Sequence, residues 1–289
     1  MLRWAKSHML KKALLIFILI SCSLLSGCEL ALFDPKGPIG EQAKDLIILS
    51  VALLSIVIIP VLFMSVYFPY KYRKSNDKNE YKPKWEHSTK IEVIVWVVPC
   101  LIITALAVAT YITSHTLDPR KPLGKSEDTL TIQVIALDWK WLFVYPEQQI
   151  ATVNEIAIPV DKPVEFLITS DTVMNSFFIP RLGSQIYAMA GMENRLNLMA
   201  SEEGIYRGMS ANYSGFGFAG MKFKTHAVNQ QGFEDWVNKV KTSPIVLDEA
   251  RLGELTKKSK DHQVEYFADV DPLLFKKTIE KYTGVQNGK

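Results

Sequence analysis

Soft and aromatic side chains crowd the second half of this 289-residue chain, and the first chemistry they suggest is metal binding. Met174, Met189, Met192, Met199, Met209 and Met221 carry thioethers, which are ligands for soft ions such as Cu(I). Their spacing makes no chelating cluster, and methionine is also a flexible filler of apolar cores, so core packing is the reading adopted for them. The imidazoles beyond residue 114, His115, His226 and His262, are far apart and show no paired spacing, whereas a zinc or copper site draws several converging ligands. No cysteine follows Cys100, which removes both a thiol nucleophile and a bridging thiolate from this stretch. There is no Gly-rich phosphate loop and no G-x-S-x-G elbow. The region offers ligand types without a ligand set.

The elements that must carry these residues begin with a membrane entry. The length leaves room for about two domains. A net charge of +3, with no basic stripe interleaved with aromatics, gives no case for nucleic acid. Arg3, Lys6, Lys11 and Lys12 precede an uncharged run from Ala13 to Gly27, the layout of a secretory signal. Its end, Leu25-Ser26-Gly27-Cys28, resembles a bacterial lipobox. That resemblance implies cleavage after residue 27 and a diacylglyceryl group on the Cys28 thiol; the alternative is an uncleaved anchor with an incidental cysteine. Cys22, Cys28 and Cys100 all lie in or beside apolar segments and make no disulfide framework.

After an outer N-terminal segment, 28–45, two uncharged runs, 46–68 and 93–114, each match the roughly 20 residues that span a bilayer core. Pro60 and Pro99 inside them predict local kinks. Lys71, Arg73, Lys74, Lys78, Lys82, Lys84 and Lys90 fall in or beside the intervening loop, 69–92, which the positive-inside rule places in the cytoplasm. Everything after the second run is then outside, as is the N-terminus, in agreement with a lipobox. Glu92, at the start of the second run, reads either as an interfacial anchor or as a contact with a partner.

From Leu130 the apolar period becomes two. Leu130, Ile132 and Val134 alternate with Thr131 and Gln133; the same period of two runs through Val164, Phe166 and Ile168, then Leu196 and Leu198, then Phe223, Thr225 and Ala227. Turn signals at Pro146, Pro159 to Pro163, Gly183, Gly191, Gly204 and Gly215 separate the runs. This predicts an all-β sandwich or barrel over 115–229. Region 230–289 reads as helical. Phe233, Trp236, Val237 and Val240 share one helical face, Asp271-Pro272 and Gly284 bound a segment striped by Phe275, Ile279 and Tyr282, and Leu247 to Leu255 is a weaker candidate.

Long runs of this sequence resemble subunit II of the haem-copper respiratory oxidases. They include Asp34-Pro35-Lys36-Gly37, Asp138-Trp139-Lys140-Trp141-Leu142-Phe143-Val144-Tyr145, Asn175-Ser-Phe-Phe-Ile-Pro180 and Gly208-Met-Ser-Ala-Asn-Tyr-Ser-Gly-Phe-Gly-Phe-Ala-Gly-Met221. The resemblance is closest to the cytochrome bo ubiquinol oxidase branch. It implies a membrane protein with a two-helix transmembrane hairpin, an all-β cupredoxin-like sandwich and a short α-helical C-terminal segment. In the cytochrome c oxidases of this family a dinuclear copper centre is held by two histidines, two cysteines, a methionine and a backbone carbonyl. On that alignment the histidines are Asn175 and Phe218, the cysteines are Ser210 and Ser214, the carbonyl comes from Asn212, and Met221 alone keeps a ligating side chain. Serine hydroxyls do not replace bridging thiolates at neutral pH, and phenylalanine has no lone pair. Trp139 and Trp141 match the tryptophans that help electrons enter those oxidases; without copper they read as aromatics filling a sandwich end or a subunit contact.

The resemblance implies that the chain is a non-catalytic subunit of a proton-pumping oxidase that oxidises ubiquinol and reduces oxygen to water. Haem b, haem o and one copper are expected in catalytic subunit I, with subunits III and IV and the lipid bilayer as further partners, and no cytochrome c. The location implied is the bacterial inner membrane, with the outer domain in the periplasm. The alternatives are a copper-containing cytochrome c oxidase subunit and a free-standing envelope lipoprotein.

Overall fold

The computed structural model describes residues 30–74, 76 and 84–283. The signal segment, the lipobox cysteine Cys28, residues 75 and 77–83 of the basic loop and the helix stop at Gly284 lie outside the described residues. The chain divides into residues 1–34 and 35–289. Of the first unit the described part is one 3-10 turn, Ala31–Phe33, with its flanking residues. The second unit holds both long helices, both sheets and the C-terminal region.

Among the described residues two long helices come first, α1 over Pro38–Lys71 and α2 over Thr89–Thr116, both long and apolar enough to cross a membrane. They outrun the uncharged stretches of the sequence because helix continues into the polar flanks, where Pro38 opens α1 with its φ already set for a helix. Apolar side chains point outward along both, Phe63 and Trp96 among them, so these are not core helices of the outer domain. Pro60 and Pro99 sit within the helices, as does Pro69. Near the start of α2, Glu92 pairs with His87 at 2.6 Å.

Among the described residues, eleven strands follow in two sheets. The first has the order β11-β3-β2-β1-β5-β8 and the second β4-β10-β9-β6-β7. In chain order they are β1 (Leu130–Leu137), β2 (Lys140–Tyr145), β3 (Ile150–Val153), β4 (Glu155–Pro159), β5 (Val164–Ser170) and β6 (Asn175–Phe178). Then come β7 (Ile186–Ala188), β8 (Asn194–Leu198), β9 (Gly204–Ser210), β10 (Lys222–Val228) and β11 (Glu265–Phe267). Most neighbours are antiparallel; β1 with β5 and β4 with β10 run parallel. The chain switches sheets at Asn154, where φ is 58°: its side-chain Oδ1 accepts the Trp141 N–H at 2.9 Å, and its own N–H reaches the Trp141 carbonyl at 2.9 Å. Asparagine is among the few residues that tolerate such a φ.

The inner faces meet in an aromatic core. Trp141, Phe143, Phe166, Phe177 and Phe223 interlock with ring centroids 5.1 to 6.3 Å apart, the range in which aromatic pairs add to area burial. Strand β2 is buried at every position, which is why its sequence does not alternate. Trp141, Phe143 and Tyr145 face the sandwich interior, while Leu142 and Val144 face a second core.

That second core is made by the C-terminal region, which packs on the outer face of the first sheet. Helix α3 (Gln230–Lys241), capped by Asn229, instead buries Phe233, Val237 and Val240 against the sandwich core. Helix α4 (Glu249–Leu255) is capped by Asp248 and buries Leu255; α5 (Leu274–Thr283) buries Leu274 and Phe275. The region read as helical also supplies strand β11, paired antiparallel with β3 at the sheet edge. Three residues are too few for a period to show, so only the waiting edge of β3 selects this strand.

The outer domain grips the start of α1. The Lys36 N–H donates to the Arg181 carbonyl at 2.6 Å, the Gly40 N–H to the Leu182 carbonyl at 3.1 Å, and the Ser201 N–H to the Lys36 carbonyl at 2.8 Å. Glycine is required at Gly37, where a Cβ would lie 2.2 Å from the Met199 carbonyl oxygen.

Candidate functional site

The residues singled out in the sequence gather at one end of the sandwich. Asn175 opens β6, Ser210 closes β9, and Asn212, Ser214 and Phe218 lie on the loop that returns to β10, with Met221 just before it. The β6–β9 register puts Ser210 opposite Phe177 and brings the two strand ends side by side. Asn175, Ser210 and Met221 are buried.

A hydrogen-bonded chain links these groups. The Ser210 hydroxyl donates to Asn175 Oδ1 at 3.2 Å and lies 3.3 Å from the Asn212 carbonyl. Asn175 Nδ2 donates to the Val173 carbonyl at 3.0 Å, and Asn212 Nδ2 to that of Met174 at 3.2 Å. The Ser210 N–H reaches the Met221 carbonyl at 3.0 Å, so the thioether-bearing residue sits beside the pair. The Phe218 ring stands edge-on to Tyr213 at 5.7 Å. This donor set does not fit the dinuclear copper centre that the resemblance implies for cytochrome c oxidases. The set consists of two hydroxyls, two amides, a phenyl ring and one thioether, and the Asn175 oxygen already accepts a hydrogen bond from Ser210.

The two tryptophans part company. Trp141 is a core residue. Trp139 occupies the two-residue turn between β1 and β2 with φ at 66°, a strained value for an aromatic residue. Its Nε1 donates to the Ser214 carbonyl at 3.0 Å, and its ring lies so close to Gly217 that a Cβ there would come within 2.3 Å. Around it Val173, Tyr213 and Phe216 are exposed. The other sequence candidates stay apart. His226 faces Glu155 at 3.4 Å, and His262 contacts Glu265 at 2.7 Å and Ser259 at 2.9 Å. Among the described residues no three His, Cys, Asp or Glu side chains converge.

One buried charge escaped the sequence reading. Lys140 lies in β2 with its Nζ donating to the Leu255 carbonyl at 2.7 Å and the Lys257 carbonyl at 2.8 Å, which ties the end of α4 to the sheet. Burial lowers its pKa, while Asp138 and Glu265 pull it back up. A lysine amid five apolar neighbours of one strand, Trp139 and Trp141 beside it, was the available signal.

Comparison with known proteins then bears on the whole chain. Residues 144–228 match the family model described as cytochrome c oxidase subunit II, periplasmic domain, and residues 241–285 match the one described as COX aromatic rich motif. The cytochrome bo(3) ubiquinol oxidase subunit 2 of Pseudomonas aeruginosa is 55% identical over 259 residues, 90% of this chain and 78% of that protein. The ubiquinol oxidase subunit 2 of Acetobacter aceti is 54% identical over 279 residues, 96% of this chain and 91% of the relative.

Proposed function

The chain belongs to the subunit 2 family of the bo-type ubiquinol oxidases, and from that premise we propose that its own part in the enzyme is structural rather than catalytic. It is a subunit of an oxidoreductase complex, and its two apolar helices with a periplasmic-type domain suit an inner-membrane protein. The observation that carries the structural reading is the hydrogen bond from Ser210 to Asn175 at positions where the family's cytochrome c oxidases hold copper. A hydroxyl and an amide that satisfy each other, beside Phe218, give an electron no soft-ligand metal on which to pause.

The physical logic lies in the substrate. Ubiquinol dissolves in the bilayer and can reach a membrane-embedded redox centre without crossing the outer domain. Haem b, haem o and the remaining copper then belong to subunit I. This chain docks its helices on that subunit, covers it from outside and supports its assembly alongside subunits III and IV, and Cys28 adds a lipid anchor. Identity that runs across both spans and the outer domain disfavours a free-standing lipoprotein, and the donor set disfavours a copper-containing cytochrome c oxidase subunit.

Oxygen uptake by the purified complex, offered ubiquinol and reduced cytochrome c separately, tests this. Uptake with ubiquinol alone is expected. Sustained uptake with cytochrome c would mean that the outer domain still accepts electrons, and the structural reading would fall.

A further inference from the structure

We infer that the cleft between α4 and α5 binds a small amphipathic organic cation. The cleft encloses about 400 Å³ on the outer face of the first sheet, within the roughly 300–1,000 Å³ typical of small-molecule sites. Its floor is apolar and buried: Ile135 and Leu137 from β1, Leu247 before α4 and Leu274 from α5.

The rim is charged and unbalanced. Lys281 is held by Asp171 at 2.8 Å and Lys277 by Asp271 at 2.6 Å, so both ammonium groups are already engaged. Two further carboxylates, Asp248 and Glu249, line the same cleft. Asp248 accepts the Arg251 N–H at 2.7 Å as the cap of α4, and Glu249 acts on the Lys277 ammonium from beyond ion-pair distance, so four carboxylates line the cleft against two ammonium groups. An apolar guest would strip water from these carboxylates without compensation, and an anion would meet repulsion; a cationic head on an apolar body satisfies both surfaces.

Gly253 supplies an independent observation. It lies inside α4, where glycine is the least favourable residue after proline. Its φ is not positive, and a Cβ added there would meet nothing within 4 Å. Neither backbone conformation nor packing calls for glycine, and alanine would make the better helix. What the missing side chain does is keep the wall of the cleft open, since Gly253 lines it.

Calorimetric titration of the intact purified complex with phenethylammonium tests the site, with phenethyl alcohol and hydrocinnamate as the neutral and anionic counterparts. Saturable one-site binding of the cation is expected, at least about tenfold tighter than either counterpart. Glu249→Gln, an exposed change, should weaken it by about fivefold, and Gly253→Leu should abolish it. Gly253→Ala should raise the Tm while weakening the cation, which separates a blocked cleft from a damaged fold. No saturable binding, a counterpart that binds as tightly, or an affinity unmoved by Gly253→Leu would each overturn the assignment. The cleft would take this ligand whether or not the complex turns over quinol.

Discussion

Tyr145 shows how a single side chain can hold the two sheets of this domain in register. Its hydroxyl donates to the Ala157 carbonyl at 2.9 Å and accepts the Ala157 N–H at 3.1 Å, across from the first sheet to the edge strand of the second. Burial raises the phenol pKa far above its ordinary value, which favours the neutral, donating form of the group. Tyr145→Phe leaves two buried backbone groups unpaired and is expected to cost about 1–3 kcal/mol in urea unfolding followed by tryptophan fluorescence. A loss under about 0.5 kcal/mol would mean that water or backbone movement replaces the hydroxyl. Residue types alone carried the reading of Asn175, Ser210, Ser214 and Phe218, because what they lack is visible without coordinates. That Ser210 and Asn175 satisfy each other was not, since the bond joins residues 35 apart in sequence.

At the scale of the elements, the strands with one polar face, β1, β5, β8 and β10, announced themselves by alternation, and the capped helix α3 by its apolar stripe. Strands β2 and β11 did not. Both depend on the C-terminal region: its helices bury the second face of β2, and its extended piece finds the edge of β3. Helix α5 is fastened at its start by Asp271, whose side chain accepts the Leu273 N–H at 2.8 Å and pairs with Lys277. The lysine and then the backbone N–H hold its carboxyl below the ordinary 3.8. A depressed carboxylate contributes stability that is fully present above about pH 3.8 and is lost as pH falls through the lower folded value. Hydrogen exchange of the α5 amides should therefore lose protection in that acid window, and Asp271→Asn should remove this component. An Asn variant with unchanged acid dependence would place the effect elsewhere.

On the scale of the whole molecule, the outer domain and the first span are joined by more than a linker, because residues 36–40 are hydrogen-bonded into the sandwich at Arg181, Leu182 and Ser201. Rotation of the domain about this joint would break those bonds, so the grip fixes how the span enters it. At the other side of the same segment, a lipid on Cys28 would tether the chain close to the bilayer. Intact-mass analysis of the mature chain should show it beginning at Cys28 with a diacylglyceryl adduct; an unmodified chain that keeps residues 1–27 would remove the anchor. The two apolar helices of spanning length and the β class of the outer domain were legible in the sequence, which also puts serine, asparagine and phenylalanine where the resemblance implies copper ligands in cytochrome c oxidases. Each of these is a matter of residue type or short-range period. Long-range packing set the rest: α4 and α5 roof the first sheet, Lys140 reaches carbonyls 115 and 117 residues away, and a cleft lined by Gly253 lies between those helices. Those features arise where distant segments compete for the same buried surface, and a one-dimensional pattern does not record which of them meet.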